Sequence, residues 1–245
     1  MPKYIDQIVA EQIARSEMSR KMSERYLGVS EIPADKPRII TISRQLGSGG
    51  RVIAQMLAEK TSWSLWDREL VDAIAEHAVL KRRIVEEFDE RTISDIEALT
   101  RSVLGEPEVG GFMYGRELAR AVLSIAKRGN AIIIGRGANF IVPRAMNVRV
   151  EATEEIRAKF VMQDESLTHD EATRKIQHVD RERKDFARRL FGKDVQDPKW
   201  YDLIIEMDCF TAAAAAEIIF TAAKTMFPEL AETEKTAGHD KTAVR

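Results

Sequence analysis

An apolar run that breaks into glycines and then passes at once into a helix former leaves a chain few ways to fold. Residues 39–51, IITISRQLGSGGR, are such a run. Ile39, Ile40 and Ile42, with β-branched Thr41 between them, make an apolar run that suits a strand buried in a sheet covered on both faces. Gly47, Gly49 and Gly50 follow, and Val-Ile-Ala-Gln-Met-Leu-Ala-Glu-Lys then continues as a helix to about Lys60. Strand, glycine turn and helix gather unpaired backbone N–H groups and the positive end of a helix dipole at one point, which is how a backbone holds phosphate.

The same alternation recurs downstream. Short strands are predicted at Arg38–Ser43, Ser64–Trp66, Ala131–Ile134, Asn147–Glu151 and Trp200–Ile205, separated by helices. One helix is opened by Thr153 as cap, another runs from Leu118 to Arg128, and a long, very charged one from Thr168 to about Arg189. A last helix covers Thr211–Met226. Strands alternating with helices imply an α/β fold, a five-stranded parallel sheet with helices on both faces, in three layers. Ligands of such sheets bind at the carboxyl ends of the strands, where the Gly47 loop, Asp67 and Arg136 fall. Residues 1–37 read as an amphipathic helix and linker, 38–228 as the domain and 229–245 as a loose tail. The stretch from Lys81 to Gly111 reads as helices joined by a mobile loop bearing Gly105, Gly110 and Gly111.

Two kinds of phosphate loop compete. Gly47-x-Gly49 with Asp67 about 20 residues on imitates a dinucleotide fingerprint. In that motif, however, the first glycine ends the strand, whereas here Ser43-Arg44-Gln45-Leu46 intervene. That length suits a mononucleotide P-loop curling around a β-phosphate, lined by Ser43, Arg44, Gly47, Ser48, Gly49, Gly50 and Arg51. The pattern GxxxxGK[ST] falls on Arg44 to Arg51, so arginine stands at the first glycine and Gly50 at the lysine. The cation for the transferred phosphoryl group then comes from Arg51 or Arg44, since guanidinium binds phosphate oxygens bidentately. Ser48 and Ser43 are the nearest hydroxyls, and no residue is assigned as a protein ligand to a metal.

Arginine-rich segments fit phosphoryl transfer, which needs cations around a spreading negative charge. Asp180 and Arg183, three apart, share one helix face, so the acid can hold the arginine. Structural roles compete: Asp67 caps the helix that follows it, and Trp200 and Tyr201 pack in a core strand.

Ser43-Arg44-Gln45 with Gly47-Ser48-Gly49-Gly50-Arg51, Trp66-Asp67-Arg68-Glu69-Leu70, Ile134-Gly135-Arg136-Gly137, Asp180-x-x-Arg183 and Tyr201-Asp202-Leu203-Ile204 together resemble the cytidylate kinase-like family of P-loop proteins, over about Arg38 to Phe227. The resemblance implies the P-loop nucleoside-monophosphate kinase fold with a helical lid. It also implies transfer of the γ-phosphoryl of ATP, with Mg2+, to CMP or dCMP. By position, Arg136 would grip the acceptor phosphate, with Asp67 and Arg68 beside it. Asp180 and Arg183 would belong to the lid, the acid reading a ribose or orienting arginines. Cytidylate kinases proper carry the loop lysine, an aspartate after the third-strand arginine and a serine-glycine pair after the second-strand acid. Here those places hold Gly50, Gly137 and Arg68-Glu69. The alternative within the same fold is a nucleotide-binding or regulatory protein that does not catalyse.

Other classes are disfavoured. Lys plus Arg number 38 against 40 Asp plus Glu, a net charge of -2 that gathers neither nucleic acid nor anionic lipid. Cys209 is the only cysteine and the four histidines lack metal-ligand pairing, which fits a reducing compartment. No apolar stretch approaches the ~20 residues that span a bilayer, and the first residues lack the apolar core of a secretion signal. A cytoplasmic location follows as an expectation. The N-terminal helix is expected to dock on its own domain or on a second copy in a homodimer.

Overall fold

A computed structural model describes residues 3–27, 38–86, 88–104 and 113–230. The chain begins with α1 (Lys3–Leu27), and the sheet domain opens with β1 (Ile39–Arg44), α2 (Gly50–Thr61), β2 (Ser64–Trp66) and α3 (Arg68–Glu76). Helices α4 (Ala78–Val85), α5 (Glu90–Leu104) and α6 (Met113–Arg128) lead to β3 (Ala131–Ile134), α7 (Ala138–Ile141) and β4 (Met146–Glu151). Helices α8 (Glu154–Glu165) and α9 (His169–Phe191) precede β5 (Leu203–Glu206) and α10 (Ala212–Met226).

The five strands form one sheet in the order β2-β3-β1-β4-β5, and every pairing is parallel. Because side chains alternate along a strand, β1 and β3 feed two cores. Ile39, Ala131 and Ile133 pack with α3, α4 and α6, whereas Ile40, Ile42, Ile132 and Ile134 pack with α2 and α10. Ile40 and Ile42 are fully buried, each worth about 1.5–3 kcal/mol. The sheet is therefore the rigid floor of the site.

Register decides what reaches the carboxyl edge. Ile42 pairs with Ile134 and Arg44 with Val150. Ser43 and Arg44 thus run on past the last residue of β3, beside Gly135 and Arg136 on one side and Arg149 on the other. The chain leaves β1 toward β2 and β3 and later returns to its other side with β4 and β5, so β1 is the switch point where such sheets open a crevice.

Helix α1 closes the opposite flank. Val9 and Ile13 join the core, Gln12 Oε1 accepts the edge-strand N–H of Leu65 (2.7 Å) and Ser16 Oγ donates to Gly129 O (3.2 Å). This docking covers the β2 edge, which would otherwise offer unpaired groups to another chain. Tyr4 and Met18 stay exposed on its outer face.

Several local expectations change. Pro198–Trp200 form a 3-10 turn instead of opening the last strand, because the Asp197 side chain accepts the N–H of Lys199 and Tyr201 N–H returns to Pro198 O. Thr153 makes no side-chain cap bond; its N–H donates to Asp208 Oδ1 at 2.9 Å. Helix α6 starts at Met113, ahead of the expected Leu118, and α7 was not foreseen. The chain remains packed through Leu230, which is buried. The linker at 28–37, the glycine-bearing loop at 105–112 and the tail from 231 lie outside the described residues.

Candidate active site

The loop after β1 is pinned from below and open above. Gly47 and Gly49 have φ of 80° and 79°, left-handed values that favour glycine. Ser48 Oγ donates toward Gln45 O (3.0 Å) and Val150 O (3.1 Å), and Gln45 Oε1 accepts Ala152 N–H (3.0 Å), which fastens the loop to β4. The first helical bond runs from Ile53 N–H to Gly49 O, and the N–H groups of Gly49, Gly50, Arg51 and Val52 have no acceptor among the described residues. The first turn of α2 contains no acidic residue. Four free donors at the positive end of a helix dipole make a cradle for an anion.

The two candidate loop cations occupy different surroundings. The Arg51 side chain is 66% exposed and donates to Asp67 Oδ2 at 3.0 Å. Asp67 Oδ1 meanwhile caps α3 by accepting from Glu69 and Leu70 N–H. Arg44 is partly buried at the strand end, with its guanidinium lying over Gly135, where a Cβ would collide with Nη1. It makes no hydrogen bond or ion pair through its side chain among the described residues. Burial, together with Arg183, Arg68 and Arg136 nearby, pushes its pKa down to about 9 against the partial relief of Asp67, so it remains charged at neutral pH.

Beside the loop lies a cavity of about 540 Å³ bounded by the ends of β1, β3 and β4 and by α9. Arg44, Arg68, Arg136, Arg149, Arg183 and Arg189 line it, with Asp180 and Glu182 as its acids. Gly135, Arg136 and Gly137 all have positive φ, 74°, 53° and 68°. For arginine that conformation is strained, and it turns the side chain off the strand end. The Arg136 guanidinium is bonded to Asp72 of α3 and lies 5.0 Å from the ring of Phe186. Tyr114 donates its hydroxyl to the other Asp72 oxygen (2.9 Å), and burial pushes that phenol up to about 12. On the other wall, buried Arg149 bonds Glu151 Oε1 (2.5 Å) and reaches Ser43 Oγ (3.3 Å), while Tyr201 OH lies 3.2 Å from Ser43 Oγ. The Arg183 pKa is lowered by burial, against the pull of Asp180.

Lid and loop are already joined. Arg183 Nη1 donates to Arg44 O (3.0 Å) and lies 3.6 Å from Asp180 Oδ1, while that oxygen accepts the N–H of Leu46 (3.0 Å). The sequence candidates Ser43, Arg44, Arg68, Arg136, Asp180 and Arg183 thus come together around the cavity. Asp67 and Arg51 pair at the outer face of α2 and α3, and Gly47 to Gly50 form the adjoining cradle. Arg149, Asp72, Arg157 and Tyr201 were not singled out as site residues. Two of them carried a signal: Arg149 as an arginine within the apolar strand Val148-Arg149-Val150, and Asp72 one helical turn after Arg68.

The donors present do not make a protein-held Mg2+ site. Ser48 Oγ is buried against two carbonyls, Ser43 Oγ faces Arg149 and Tyr201, and no cluster of three His, Cys, Asp or Glu with metal-binding geometry occurs among the described residues. A magnesium ion in this cradle would be held by phosphate oxygens and water.

A parallel sheet in the order 2-3-1-4-5, with a glycine loop between its central strand and α2, defines the chain as a P-loop protein of the three-layer α/β class. A crystal structure of an uncharacterised protein from Eubacterium ventriosum has the same fold, with a TM-score of 0.61 at 22% identity over 78% of this chain and 99% of that one. The family model of the cytidylate kinase-like family matches residues 39–209, and the chain belongs to that family. Among relatives, a cytidylate kinase of Pyrococcus horikoshii is 27% identical over 81% of this chain and 92% of its own length. One of Ignicoccus hospitalis is 28% identical over 74% and 96%. No helix among the described residues is long and apolar enough to cross a membrane.

Proposed function

We propose that the protein transfers the γ-phosphoryl group of ATP to a nucleoside monophosphate, with CMP or dCMP as acceptor. The observation that carries this reading is Arg44: a charged guanidinium with no hydrogen bond or ion pair among the described residues, crowded by other arginines, beside four loop amides that have no acceptor there. Such a group is costly unless an anion completes it. The loop amides and Arg44 hold the β- and γ-phosphate oxygens of the donor. Arg136, kept in place by Asp72, and Arg183 hold the acceptor's phosphate in the cavity. An acceptor phosphate oxygen forms the new P–O bond while the bond to the β-phosphate oxygen of departing ADP breaks. The attacking oxygen is already anionic, so no protein base is required. Helix α9, already bonded to the loop, walls the cavity and helps to exclude water as a competing acceptor. The relatives named cytidylate kinase support the choice of acceptor.

A second reading, nucleotide binding without transfer, draws support from the loop itself. Gly50 stands at the lysine position and the Ser48 hydroxyl is turned inward. A coupled assay with ATP, Mg2+ and the monophosphates of cytidine, uridine, adenosine and guanosine separates the two. ADP formation that depends on CMP or dCMP and exceeds that with the others supports the kinase; ATP binding with no acceptor-dependent turnover supports the binder.

A further inference from the structure

Both backbone polar groups of Leu46, in the phosphate loop, are held by one ion pair from outside the loop. Asp180 Oδ1 on α9 accepts its N–H at 3.0 Å, and Arg157 Nη1 on α8 donates to its carbonyl at 3.4 Å. The two side chains are joined to each other, Arg157 Nη1 to Asp180 Oδ2, at 2.5 Å. Arg157 is 7% exposed. The backbone of α8 meets the next loop residue as well, since a Cβ on Gly47 would lie 2.6 Å from Arg157 O. Arg183, one turn along α9 from Asp180, adds a bond to Arg44 O at 3.0 Å. The turn that leads into the phosphate cradle is thus shaped by side chains of α8 and α9, whose own small core of Ala158, Val161, Ala172 and Ile176 ties the two helices together.

We infer that Arg157 and Asp180 are one positioning unit that fixes the phosphate loop for the donor triphosphate, and that Asp180 acts on the loop and not on the acceptor's sugar. The inference rests on the kinase reading for its kinetic consequences, while its structural consequence is independent of it. A carboxylate with one oxygen bonded to a loop amide and the other to a buried guanidinium is held in orientation toward the loop by both. Loss of either partner leaves the Leu46 peptide free to turn, and misplacing loop amides by even about 1 Å costs on the order of 10²-fold.

Asp180→Ala and Arg157→Met are the variants, with Asp180→Asn as the conservative one, which keeps an oxygen for the Leu46 N–H but loses the charge. In the ligand-free protein, hydrogen exchange over residues 44–48 should speed up at least about tenfold in Asp180→Ala. Protection unchanged from the wild type would overturn the inference whether or not the protein is a kinase. In the assay, Asp180→Ala should raise KM for ATP about tenfold or more and leave KM for CMP within about twofold, with Asp180→Asn in between. The Asp180→Ala/Arg157→Met double variant should be no worse than the poorer single one, as expected of residues that act through each other. A rise confined to the KM for CMP would overturn the inference by assigning Asp180 to the acceptor, and additive losses would overturn the single unit. Failure of wild-type turnover would count against the kinase reading alone, with the exchange result still deciding the positioning role.

Discussion

Arg44 and Gly50 fit against each other: a Cβ built on Gly50 would lie 2.8 Å from Arg44 Cβ and 3.1 Å from Cγ. Gly50 stands where P-loops carry lysine, and Arg44 stands where they carry the first glycine. The two departures from the motif are therefore coupled in space: Arg44 fills room that a side chain at residue 50 would need. Restoring the lysine alone, Gly50→Lys, should overpack the loop, lower stability by about 1–3 kcal/mol and weaken ATP binding. The paired exchange Arg44→Gly/Gly50→Lys should recover stability relative to Gly50→Lys. Thermal unfolding and ATP titration of the two variants check this.

Arg44 should cost the ligand-free fold stability. Its pKa in the folded protein, about 9, lies below the ordinary 12.5. As pH rises between those values the unfolded chain keeps the proton that the folded chain has released, so stability rises with pH there; below about 9 both states are charged and the penalty is complete. Arg44→Met should therefore equal or exceed the wild type in ligand-free stability near neutral pH, with the gain shrinking above pH about 9. It should also lose the stabilisation that tripolyphosphate gives the wild type. Denaturant melts across that range measure both.

Gly47→Ala should be the most damaging alanine in the loop. The new Cβ meets the Arg157 carbonyl at 2.6 Å, a backbone atom that cannot swing away, and φ is 80°. The sum of overpacking and left-handed strain is about 2–4 kcal/mol. Gly49→Ala, where no atom lies within 4 Å, carries only the strain. The difference between the two melts isolates the contact.

Asp72 should matter through Arg136. Its carboxylate joins Arg136, Tyr114 and, at 3.7 Å, Arg68. Asp72→Ala leaves a largely buried guanidinium unpaired, a loss of about 1–3 kcal/mol, and should raise KM for CMP more than KM for ATP. Arg51→Ala removes an exposed pair worth about 0–1 kcal/mol, and should weaken ATP binding less than Arg44→Met does. Steady-state kinetics with each substrate varied separately rank the three variants.

The sheet was legible in the sequence because its signal is local: Ile39–Ile42 is apolar but for Thr41 and runs into the glycine loop, and Ala131–Ile134 is an unbroken apolar run that ends at Gly135. The glycine loop and the cavity-lining arginines Arg44, Arg136 and Arg183 were legible from local motifs. Their partners were not. Asp72 meets Arg136 across 64 residues and Arg157 meets Leu46 across 111, pairings that exist only once α3 and α8 have packed. Trp200 and Tyr201 look like a strand by composition, yet Pro198 and the Asp197 cap bend them into a turn, which delivers the Tyr201 hydroxyl to Ser43. The different surroundings of Arg44 and Arg51 also needed the fold, since burial separates them and spacing does not.

Calorimetric titration of ATP into the wild type and Arg44→Met is the most direct measurement of whether Arg44 and the free loop amides hold a triphosphate. Binding to the wild type, weakened at least about tenfold in Arg44→Met, is the predicted result. Equal affinity of the two proteins for ATP, or no binding by the wild type, would contradict it.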